Sequence, residues 1–275
     1  MIILRTGLFS SKKSKKEESR KESKRKTRKD ALIGAGVAGG GLAGNIAAIN
    51  DLAGKESWVG NEKMHPGLKK ENEQMWKKLA EKAEAQGTKV HKVDSPATSH
   101  YSPKASSLHK EVGKSGDYIR TGNSGEIFAH ELGHSQYYKK GRAKGVEGAI
   151  GRGMHKASVP GRVLGSNPLG MAASFANGYH SGKKSKKLER EGKKESAWNK
   201  HKSWAVPAAI MAPVVISEGM ASRKGYKMLK QAGASKEYLK QSRKTLAKAG
   251  GSYAGAAAFN VGLGQLGRAA GRHFE

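Results

Sequence analysis

The sequence predicts a mostly α-helical fold with a small β-sheet, an α+β core extended by Gly/Ala-rich apolar helices. Three observations predict it. Apolar residues recur at helical spacing in several segments, only two short stretches alternate as strands do, and long charge-free runs are built from Gly and Ala rather than from β-branched residues.

The elements follow in order. Residues 12–29 are nearly all Lys, Arg, Glu and Ser. Such a segment cannot bury a core, so residues 1–30 read as a basic arm. Residues 31–54 form a Gly-rich apolar stretch. Its first twenty residues, Ala31 to Asn50, carry no charge, about the length that crosses a bilayer. Gly36, Gly40 and Gly44 would give it a close-packing face. Asn72 to Gln86 reads as a helix, with Met75, Leu79 and Ala83 on one side and Gly87 ending it. Lys89 to Val93 alternates as a strand, and Tyr118-Ile119 is a second short strand, with a polar loop from Ser95 to Gly116 between them.

The next helix carries the chemistry. His130-Glu131-Leu132-Gly133-His134 is an HExxH motif. Positions i and i+4 share a helix face, so two imidazoles can grip one metal ion, and Glu131 beside them can act as a general base on water. Imidazole suits zinc. Ser124 can cap the helix start, Glu126 favours the first turn, and Lys139 and Lys140 favour the last. Gly133 costs roughly 1 kcal/mol of helix propensity against Ala. A glycine there is tolerable where something packs closely, such as a metal site or a crossing helix.

A catalytic zinc needs a third protein ligand. A His six residues past the second is excluded, because that position is Lys140. Glu218 is the best candidate. It lies between an apolar run and the basic segment Arg223 to Lys230. Glu147, Glu189, Glu191 and Glu195 compete, the last three from a charge-dense stretch.

Together, His130-Glu131-x-x-His134 and Glu218-x-x-Ala221 resemble the gluzincins, the glutamate-ligand zinc peptidases. They are most similar to the membrane-embedded HtpX/CAAX-protease type. The resemblance covers roughly residues 85–230. It implies a zincin-like domain over 55–145, Zn2+ held by His130, His134 and Glu218, and Glu131 as general base. It also implies a protein or peptide substrate bound along the edge strand. Many members carry Asp or Asn four residues past the ligand Glu; this chain has Ser222, whose hydroxyl can also support a ligand by hydrogen bonding.

The remaining segments are an apolar helical hairpin over 146–217 with a basic loop at 181–202, then a Glu-ligand helix and a Gly/Ala-rich helix over 218–275. Charge-free stretches at 163–180, 203–217 and 249–267 are candidate membrane spans, although 203–217 is short and contains Pro207 and Pro213. Two of them separate His134 from Glu218, an even number that returns the chain to one side.

Composition bounds the partners. The chain has 275 residues, no cysteine and a net charge of +29. Disulfides and cysteine-ligated zinc are excluded. The basic surface suits membrane lipids, nucleic acid or another polyanion, held through salt-sensitive contacts. Mean hydropathy is low, −0.69. That value is low for a chain with several membrane spans, but the HExxH motif, the resemblance it carries and the charge-free stretches together imply a membrane-associated zinc endopeptidase. The alternative is a non-enzymatic structural or membrane-active protein of a virus or phage, housed in the virion interior.

Overall fold

Helix α1 (Pro66–Ala85) begins on a proline, whose fixed φ suits the first helical position. Met75, Leu79 and Ala83 are buried at successive turns, while Lys and Glu take the opposite side. The helix stops where Gly87 adopts φ +72° and Thr88 N–H returns to the Ala83 carbonyl. The computed structural model describes residues 66–93, 99–102, 117–138, 142–165 and 168–274. The basic arm, the 31–54 apolar stretch, Lys139 and Lys140 lie outside them.

Three strands follow: β1 (Lys89–Lys92), β2 (His100–Ser102) and β3 (Tyr118–Thr121). The order is β1-β3-β2, with β3 central, parallel to β1 and antiparallel to β2. Val90 and Tyr101 flank Ile119 in register. Ile119 is fully buried, as the centre of a small sheet requires. Strand β2 falls inside the stretch read from sequence as a loop.

Helix α2 (Gly125–Tyr138) carries the HExxH run. Ser124 caps it, with Ile127 N–H donating to Ser124 Oγ at 3.3 Å. Phe128, Ala129 and Leu132 join Met75, Leu79, Ile119, Met228, Leu229 and Tyr238 in the main core. Each large side chain there contributes about 1.5–3 kcal/mol by leaving water.

Four long helices complete the chain: α3 (Gly145–Gly165), α4 (Pro168–Arg190), α5 (Ala197–Gln231) and α6 (Lys236–His273). The expected basic loop at 181–202 is helical up to Arg190 and again from Ala197. It folds because Ser181, Gly182 and Ser185 of α4 are buried, and a Cβ on Gly182 would sit 2.1 Å from the Arg268 carbonyl of α6. Small residues, not apolar ones, make that seam. The 163–180 stretch is split between α3 and α4, so it does not form one span. The 203–217 stretch and Glu218 belong to one helix, α5, which continues through Pro207 and Pro213. Among the described residues, α5 alone is long and apolar enough to cross a membrane, and 33% of its apolar window is buried inside the protein. The even count of spans between His134 and Glu218 therefore falls away.

Candidate metal centre

Every residue from Phe128 to Tyr137 on α2 is buried, which excludes a surface helix with two solvated histidines. His130 and His134 point at α5, where Glu218 is 1% exposed. The three side chains meet. Glu218 Oε2 lies 3.0 Å from His130 Nε2 and 3.2 Å from His134 Nε2, and the two Nε2 atoms are 3.2 Å apart. A tetrahedral zinc with bonds of about 2.0–2.1 Å would set its donors roughly 3.3 Å apart. The donor triangle has that size, and its two imidazoles and one carboxylate suit zinc chemically.

The approach of α2 to α5 is made by small residues. A Cβ on Gly133 would lie 2.3 Å from the Ala221 carbonyl oxygen, and one on Gly225 would lie 2.5 Å from the Ala129 carbonyl oxygen. Backbones thus cross in contact on both sides of His130. Ser222, one residue on from Ala221, places its Oγ 3.0 Å from His130 Nδ1. With the proton on Nδ1 and donated to Ser222, Nε2 presents its lone pair to the cluster.

Electrostatics treat the two histidines differently. Burial pushes His134 down to about 4, against the pull of Glu218. Burial also acts downward on His130, but its hydrogen bond to Glu218 and the charges of Glu131 and Glu218 outweigh it and raise that group. Burial pushes the Glu131 carboxyl above its usual range, with His130 pulling it down. Glu131 Oε2 accepts the Tyr101 backbone N–H at 2.8 Å, which ties the general-base candidate to edge strand β2.

The competing carboxylates are engaged elsewhere. Glu147 accepts the Tyr137 hydroxyl at 2.8 Å, Glu189 pairs with Arg272, Glu191 with Lys193, and Glu195 receives both contacts of Arg268 at 2.8 Å.

Several neighbours of the site carried no signal in the sequence. Arg162 on α3 places Nη2 2.6 Å from Glu218 Oε1. The His155 ring of α3 is 6.1 Å from the His134 ring and 5.1 Å from Tyr138, centroid to centroid. The Tyr253 phenol of α6 feels the charges of Glu218 and Glu131. Each is distant in sequence from the motif, and none has a diagnostic spacing to it.

Compared with known proteins, the chain matches no family model, no curated protein and no solved structure.

Proposed function

We propose that this protein is a zinc-dependent metalloendopeptidase in which His130, His134 and Glu218 hold the metal and Glu131 is the general base. One observation carries the reading: a buried two-His, one-Glu triangle in which Glu218 lies 88 and 84 positions from His130 and His134, with a second buried carboxylate, Glu131, next to His130 in the chain. Zinc bound there would supply a Lewis acid that polarises the scissile carbonyl and makes a water molecule acidic near pH 7. Glu131 takes the proton from the attacking water and delivers it to the departing amine nitrogen. Strand β2 lies at the sheet edge beside Glu131, and an extended peptide would add along it once Glu131 releases the Tyr101 N–H.

Membrane apposition belongs to the same proposal. It is supported by the apolar length of α5 and by Trp198 and Trp204, 64% and 42% exposed near its start. Lys200 and Lys202 stand beside them, the mix of aromatic and basic residues that favours a lipid interface.

The test is metal content with activity. Purified protein should hold about one zinc per chain by the ligand count of a catalytic site. It should hydrolyse a general protein substrate and lose both properties in His130→Ala. Wild-type protein that takes up no zinc, or a His130→Ala variant that keeps it, refutes the reading.

A further inference from the structure

We infer that Arg162 is a positioning residue that restricts Glu218 to single-oxygen ligation. The inference rests on the metal centre proposed above.

A carboxylate can bind zinc through one oxygen or two. Two-oxygen binding takes up the position that a catalytic site must leave open for water. In this protein the two oxygens of Glu218 have separate partners. Oε2 faces both imidazoles, at 3.0 and 3.2 Å. Oε1 is turned toward Arg162 Nη2, at 2.6 Å. Both Oε1 and Nη2 are buried, and their contact is an ion pair rather than an aligned hydrogen bond. Glu218 is 1% exposed while the Arg162 side chain is 37% exposed, so the guanidinium reaches in from solvent and the pair is screened on the Arg162 side only.

The fold builds this contact deliberately. Gly161 precedes Arg162, and a Cβ there would lie 2.4 Å from the Ile210 carbonyl oxygen and 2.5 Å from Val214 Cγ2. Helix α3 therefore meets the α5 backbone at Ile210, about two turns before Glu218, and the next side chain reaches the carboxylate. The guanidinium is also held from behind. Arg162 Nε donates to Ser158 Oγ at 3.2 Å, and the Ser158 hydroxyl donates to the His155 carbonyl at 2.7 Å. A simple counter-ion for a buried acid would need no such bracing, and its loss would cost stability alone. A clamp predicts more: its loss changes the coordination of the metal.

Cobalt(II) reads this difference, since a four-coordinate ion absorbs visible light far more strongly than a five-coordinate one. The full chain is loaded with cobalt as wild type, Arg162→Gln, Arg162→Lys and Ser158→Ala. The wild type should give the intense four-coordinate bands. Arg162→Gln should bind cobalt with weakened bands, as Glu218 swings to two-oxygen binding, and the zinc form should lose about 10- to 100-fold in hydrolysis, as for other groups that orient ligands. Arg162→Lys, which keeps the charge, should restore much of the intensity. Ser158→Ala, which frees the guanidinium without removing it, should weaken the bands to a smaller degree. Unchanged bands in Arg162→Gln overturn the clamp while leaving the metal centre intact. If Arg162→Gln does not fold, unchanged bands in Ser158→Ala overturn it instead. Wild-type protein that binds no cobalt overturns both readings.

Discussion

Gly133 and Ala221 touch backbone to backbone: a Cβ on Gly133 would stand 2.3 Å from the Ala221 carbonyl oxygen. This contact sets the separation of the two helices that carry the metal-ligand candidates. Gly133→Ala would gain about 1 kcal/mol of helix propensity. Overpacking at a fixed backbone contact costs about 1–3 kcal/mol, and here no flexible side chain can yield. We expect a net loss of stability in urea, together with weaker zinc binding, because α2 and α5 must part. A variant more stable than wild type would mean that the helices are not held at this distance.

Glu131→Gln should keep the zinc and lose peptide hydrolysis, because an amide cannot take up the proton. The measurements are metal content and turnover of a protein substrate. Turnover near the wild-type rate would remove Glu131 from the role of base.

Glu218→Ala should lower zinc affinity and activity together, since two imidazoles alone hold a metal weakly. It should also lower stability modestly, because Arg162, whose side chain is 37% exposed, loses its ion pair with Glu218 and the truncated side chain leaves space inside the α5 packing. Chelator competition and thermal melting check the two effects. Full zinc occupancy with full activity would move the third ligand elsewhere.

A pH effect is expected at Glu126, far enough from the ligands to be read separately. Its side chain is fully buried, and burial raises its carboxyl above the usual value, against the Tyr238 hydroxyl 3.0 Å from Oε2. A carboxyl raised in the folded state binds its proton more tightly there than in the unfolded chain. Its contribution is therefore present below the unfolded value and is lost as pH rises through the folded one. Glu126→Gln keeps an acceptor for Tyr238 and has no charge to bury. It should flatten that decline and be more stable than wild type at pH 8, measured by denaturant midpoint. A variant as sensitive to rising pH as wild type would contradict this account.

If α5 meets lipid, the chain should resist a wash of about 1 M salt, where the Debye length is about 3 Å, and come off only in detergent. Release by salt alone would mark a peripheral basic protein with α5 buried in its own bundle or assembly.

Much of the fold and of the site was legible in local patterns. The HExxH spacing announced one helix face, the Met75-Leu79-Ala83 stripe announced α1, alternation announced β1, and the apolar pair Tyr118-Ile119 marked β3. Glu218 stood out because an acid among apolar neighbours calls for a partner. Gly133, which costs helix propensity, pointed to close packing by a metal site or a crossing helix, and it is the α5 backbone at Ala221 that packs there. Other features had no local sign. Strand β2 is three residues long and exists through its pairing with β3. The charged half of α4 looks like a loop until its Ser and Gly seam meets α6. Arg162 is one of 52 basic residues, and nothing in its neighbourhood in the sequence distinguishes it from the others. Tertiary contact alone turns it toward a buried carboxylate.

The distance along the chain from His134 to Glu218, 84 residues, gives the triangle a second consequence. An ion held there would act as a cross-link closing a loop that contains all of α3 and α4. By the chain-entropy model for such ties, closing a loop near this length removes about 4–5 kcal/mol of freedom from the unfolded state. Helices that donate no ligand would then owe part of their stability to the metal. Stripping the ion would lower the stability of the whole loop, α3 and α4 included.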